Sequence, residues 1–142
     1  MAGGILILDK PAGWTSHDAV AKLRGILKER RIGHGGTLDP MATGVLPVFV
    51  GRATRAVELF EAADKTYVAG LRLGLVTNTE DSTGEVLETR PVSVTQAQLQ
   101  QALDALVGEQ LQVPPMYSAI KIGGKKLYEL ARAGKEAERP AR

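Results

Sequence analysis

The hydrophobic positions of this chain change their spacing several times, and each change marks an element. Gly4 to Leu8 is an apolar run closed by Asp9-Lys10-Pro11-Ala12-Gly13, which reads as a buried strand entering a tight turn. Thr15 and Asp18 have the spacing of a capping box, and Val20, Leu23 and Leu27 then recur at helical intervals, so a helix follows, with Lys22 and Arg31 at or near its outer side. Ile32 to Gly44 holds four glycines, a proline and several small polar residues, a composition that predicts a structured loop without a regular element. Val45 to Val50 reads as a strand, and Pro47 places it at a sheet edge or delays its start to Val48. Ala53 to Ala63 reads as a short helix.

From Tyr67 to Val76 the residues alternate with a period of two, predicting a strand with Tyr67 on its more apolar face. Asn78 to Gly84 is a polar loop, and Glu85 to Thr89 a returning strand. Thr95 with Gln98 opens another helix carrying Leu99, Leu103, Leu106 and Val107, stopped by Gly108. After Pro114 and Pro115 come an extended stretch from Ser118 to Ile122, a turn at Gly123 and Gly124, and a short helix from Leu127 to Ala133. Glu136 to Arg142 begins what reads as one more strand. This order of elements suits an α+β sheet better than repeated βαβ units.

Composition narrows the chemistry. With 142 residues, 44% hydrophobic and 24% charged, the chain resembles a globular domain rather than a disordered tail or a fibrous repeat. The absence of cysteine excludes disulfides, thiolate nucleophiles and cysteine-ligated metals. No apolar run reaches the length of a membrane span, so a cytoplasmic protein is expected. A net charge of +2 does not demand nucleic acid, but the excess is local. Lys22, Arg24, Lys28, Arg30 and Arg31 form one basic stretch, and Lys121, Lys125, Lys126, Arg132 and Lys135 another.

The densest signal is Gly33-His34-Gly35-Gly36-Thr37-Leu38-Asp39-Pro40. Its glycines allow close approach of a ligand, and Pro40 biases Asp39 towards an extended conformation that projects the carboxylate. The plainer alternative is an Asp-Pro turn in which Asp39 caps the following turn through Thr43. The stretch lacks the Gly-Lys-Ser/Thr ending of a phosphate loop and the spacing of a dinucleotide fingerprint. With His17 and His34 as the only histidines, and no Gly-x-Ser-x-Gly, neither a metal hydrolase nor a serine triad is supported; carboxylate chemistry at Asp39 survives.

Three blocks carry a family resemblance: GGILILDKPAGWTSHDAVAKLR, GHGGTLDPMATGVLPVFVGRATR and PPMYSAIKIGGKKLYELARAG. In this order they resemble the TruB family of bacterial tRNA pseudouridine synthases, which modify uridine 55 in the T loop. The guide-RNA-dependent, dyskerin-type relatives share the Lys-Pro and Thr-Leu-Asp-Pro elements and are the nearest competitor. The resemblance implies a mixed, mainly antiparallel sheet flanked by helices, no cofactor, no metal, a tRNA T-arm stem-loop as substrate, and no protein partner. It gives Asp39 the role of nucleophile at the glycosidic bond and Tyr67 that of stacking on the flipped base and assisting proton transfer. His34, with Gly36 and Thr37, would face the RNA, His34 filling the space the base vacates. Lys10 and Pro11 would support the site, and Lys121, Lys125, Lys126 and Arg132 would meet phosphates. The family continues further, with a segment whose arginine pairs with the aspartate and often a small RNA-binding domain. The resemblance thus implies that residues 1–142 are an incomplete catalytic domain with weak or no turnover alone. A non-catalytic RNA-binding fragment, or a nucleoside or glycoside hydrolase using the same carboxylate, are the rival readings.

Overall fold

A computed structural model describes residues 3–60, 63–118 and 120–141. The chain divides into two compact units, Met1–Val68 and Ala69–Arg142. In the first, strand β1 (Gly4–Lys10) leads through a turn to helix α1 (Ser16–Leu27), followed by β2 (Ile32–His34) and β3 (Gly44–Val50). The strands form an antiparallel sheet in the order β1-β3-β2.

Helix α1 begins where the sequence places it. Thr15 Oγ1 accepts from the Asp18 N–H at 3.0 Å, and the Asp18 carboxylate accepts from the Thr15 N–H at 2.8 Å, closing the capping box. These bonds to Thr15 hold the Asp18 carboxyl below the usual carboxylate range. Ala19 and Val20 of α1 pack on Ile32, Leu46 and Val48, with Leu8, Leu23, Leu38 and Val50 at the margin. Because side chains alternate across a sheet, Leu8 and Lys10 share the face that α1 covers. Phe49 points to the opposite face, where Phe60 meets it edge-on at 5.0 Å.

Three expectations are corrected in this first unit. Strand β3 occupies the centre of the sheet despite Pro47. Pairing with β2 ends at His34 opposite Val48, so the missing Pro47 N–H falls just past the ladder, where its carbonyl still accepts from Gly35 N at 2.9 Å. The glycine-rich stretch opens with a three-residue strand, β2, because Ile32 fills the core. The short helix expected from Ala53 starts two residues earlier, as a 3₁₀ helix over Gly51–Phe60; the end expected at Ala63 runs through positions 61 and 62, outside the described residues.

In the second unit, β4 (Leu75–Thr77) pairs with β5 (Val86–Thr89). Their loop wraps the Asp81 carboxylate, which accepts from Thr79 Oγ1, Thr83 Oγ1 and the Thr83 N–H at 2.6–2.8 Å. Hydrogen bonds from Thr83 and then Thr79 lower the Asp81 pKa. Helix α2 (Gln96–Asp104) starts at a Thr95–Gln98 capping box. A two-residue hairpin pair, β6 (Lys121–Ile122) and β7 (Lys125–Lys126), leads into helix α3 (Leu127–Arg132). The strand expected over 67–76 is reduced to β4. Residues 67–72 run without a ladder partner among the described residues, leaving Val68 and Leu71 exposed, and an alternating pattern without a neighbour cannot form a sheet. Residues 136–141 form no strand. Among the described residues no helix is long and apolar enough to cross a membrane.

Candidate active site

The loop between β2 and β3 is gripped on both sides of Asp39. Before it, the buried Ser16 hydroxyl accepts from Leu38 N at 2.9 Å and donates to Leu38 O at 3.3 Å. After it, the Pro40 carbonyl accepts from Gly13 N at 2.7 Å and lies 3.5 Å from Lys10 Nζ. Asp39 O itself accepts from Ala42 N at 3.0 Å, closing the turn. The Asp39 side chain is exposed and, among the described residues, makes no hydrogen bond or ion pair. The cap through Thr43 therefore does not form; the turn is held by backbone and the carboxylate is left for something else.

Lys10 is the anchor beneath this arrangement. It is completely buried, and its ammonium donates to Trp14 O at 2.7 Å and Pro11 O at 2.9 Å besides facing Pro40 O. Carbonyl oxygens replace the water a buried cation loses, and together they join the β1 turn to the Asp39 loop. Pro11 follows at the turn and is exposed.

His34 ends β2, half-buried. Its Nδ1 pairs with Gly36 O, a contact that gives Nδ1 the proton and leaves Nε2 as acceptor in the neutral ring. Burial pushes its pKa below the ordinary histidine range, the Gly36 carbonyl opposes this, and the positive form of His17 adds to it. The two imidazoles meet edge to face, centroids 5.2 Å apart. Gly36 has φ +126°, and a Cβ on Gly35 would stand 2.7 Å from Phe49 Cε2, so the loop at these positions requires glycine. Thr37 is exposed.

Tyr67 is 63% exposed and makes no hydrogen bond or ring contact among the described residues. Lys121, Lys125, Lys126 and Arg132 lie in the second unit, on the β6–β7 hairpin and α3. There Lys126 Nζ and the Arg132 guanidinium stand 5.4 and 5.3 Å from the Tyr128 ring centroid. Sequence reasoning missed Ser16, His17 and Tyr128. Tyr128 lies two residues from Lys126 and four from Arg132, a spacing that was visible, whereas Ser16 meets Leu38 across 22 residues with no local cue. Among the described residues no three of His, Asp and Glu come together as a metal centre.

The chain is similar to known proteins over most of its length. The family model described as "TruB family pseudouridylate synthase (N terminal domain)" matches residues 24–142. The "tRNA pseudouridine synthase B" of Bacillus subtilis (strain 168) is 55% identical over 144 residues, covering 100% of this chain and 47% of that protein. Its namesake from Lactococcus lactis subsp. cremoris (strain MG1363) is 56% identical over 141 residues, covering 98% and 43%. The chain thus spans about half the length of the curated relatives it matches. Among solved structures, a chain of a Cbf5-Nop10-Gar1 complex superposes with TM-score 0.56 and 32% identity, covering 83% of this chain and 31% of that one.

Proposed function

Because this chain belongs to the TruB family of pseudouridylate synthases, we propose that it supplies the Asp39-bearing part of the catalytic domain of a cytoplasmic tRNA pseudouridine synthase. The substrate is uridine 55 in the T loop, flipped out of its stack to meet the loop. The observation that carries this reading is the loop itself: a backbone fixed before and after Asp39, with the carboxylate exposed and unengaged among the described residues.

Cleavage of the C1′–N1 bond develops positive charge at the anomeric carbon, and a fixed carboxylate traps or stabilises it. The freed uracil then turns, C5 bonds to C1′, and the hydrogen on C5 leaves as a proton. Nothing is oxidised or reduced, so the isomerisation calls on no redox partner. His34, neutral at physiological pH, fills the position the base leaves, and Tyr67 closes over the flipped ring. Lys10 and Pro11 hold the loop; Gly36 and Thr37 border the RNA; Lys121, Lys125, Lys126 and Arg132 contact phosphates. Residues 1–142, about half the length of the relatives, have weak or no turnover alone.

The test is tritium release from a T-arm stem-loop labelled at uridine C5, using this chain joined to the remaining length of a relative. Asp39→Asn is expected to abolish release while RNA binding persists. Release at the parent rate from Asp39→Asn would refute the assignment, and free uracil among the products would favour a hydrolase.

A further inference from the structure

The basic stretch after α1 is not absorbed by the Asp39 loop. Arg30 and Arg31 precede β2, and Arg52 is the second residue of the 3₁₀ helix after β3; with Glu29 and Gly51 they line an open cleft of about 370 Å³. Its walls are fixed by backbone. Gly51 N donates to Arg31 O at 2.7 Å, Ile32 is paired with Val50, and Gly51 has φ +61°, a left-handed conformation that suits glycine.

The charges in the cleft do not cancel. Among the described residues none of the three guanidiniums has an ion pair. The Glu29 carboxylate is occupied by the Arg31 N–H at 2.8 Å, and three positive groups against one negative leave two in excess. Unpaired guanidiniums in an open, rigid concavity suit phosphate, whose oxygens accept paired N–H bonds.

We infer that the cleft formed by Arg30, Arg31 and Arg52 grips the phosphodiester backbone of the RNA stem at a distance from the nucleotide that reacts. The inference rests on the reading of the chain as an RNA-modifying enzyme. Its geometry comes from β3, which runs from Gly44, at the end of the Asp39 loop, to Val50, beside the cleft. Six residue steps at strand rise separate the two by about 20 Å, several nucleotides along a stem. Such a contact carries affinity and register but reads no sequence.

The test is the salt dependence of binding of a labelled T-arm stem-loop to this chain joined to the remaining length of a relative, by fluorescence anisotropy between about 50 and 200 mM KCl. Replacing all three arginines (Arg30→Gln, Arg31→Gln, Arg52→Gln) is expected to reduce the slope of log K against log salt by about 2–3, at roughly 0.7–0.9 per lost phosphate contact. The corresponding lysine triple keeps the slope, and shortening the RNA stem removes the difference between parent and glutamine triple. If the glutamine triple melts early, Arg52→Gln alone should lower the slope by about 0.7–0.9. An unchanged slope with the parent still binding overturns the cleft and leaves the Asp39 reading intact. A parent chain without salt-dependent RNA binding overturns both.

Discussion

Replacing Lys10 by methionine keeps the length and bulk of the side chain and removes its three donors. The site is completely buried, so no water follows into the space the ammonium leaves. Two carbonyls, Trp14 O at 2.7 Å and Pro11 O at 2.9 Å, lose strong partners, while Pro40 O at 3.5 Å loses a weak one. An orphaned buried acceptor costs about 1–3 kcal/mol, and relief from burying a charge returns part of that. The net expectation is a loss of about 2–4 kcal/mol. Trp14, the single tryptophan, belongs to the affected turn, so its fluorescence reports unfolding directly. With a urea slope of roughly 2 kcal/mol per molar, the midpoint should fall by about 1–2 M. A midpoint within about 0.3 M of the parent would show that the three carbonyls are satisfied some other way, and would remove Lys10 as the anchor of the Asp39 loop.

The glycine-rich loop and its histidine set three further outcomes. Gly35→Ala should cost about 1–3 kcal/mol in thermal or urea unfolding, because its new Cβ meets Phe49 Cε2 at 2.7 Å and that ring is already wedged against Phe60. His34 binds its proton less readily folded than unfolded, so stability should fall as pH drops below about 6.5 and level off beneath the depressed folded value. Unfolding midpoints of the parent and His34→Asn across this range check it; equal slopes would count against the burial of the ring. Since the chain has only two histidines, a long-range ¹H–¹⁵N spectrum should show His34 as the Nδ1–H tautomer at neutral pH, and an Nε2–H pattern would contradict the Gly36 contact.

Local chemistry was legible in the sequence, and long-range closure was not. The Thr15–Asp18 and Thr95–Gln98 boxes appear as expected because a cap is settled within four residues. Pro47 misled, since a proline excludes a central strand only if its absent N–H faces a partner, and β2 stops one pair short. The period-two stretch from Tyr67 misled in the opposite way: alternation fixes which side chains share a face but supplies no neighbouring strand. The Asp39 loop was found by its glycines and Asp-Pro step. What holds it, Ser16 on Leu38 and Lys10 near Pro40, spans 22 and 30 residues and leaves no mark on local pattern.

The central position of β3 also limits how this part of the chain can change in length. Leu46 and Val48 face α1 while Phe49 faces Phe60, so one inserted residue would turn an apolar run over and strand it on the wrong side. Two inserted residues would keep the facing but lengthen the strand by about 7 Å. Natural insertions should therefore be missing from the strand, and an engineered library would best leave positions 44–50 at their present number.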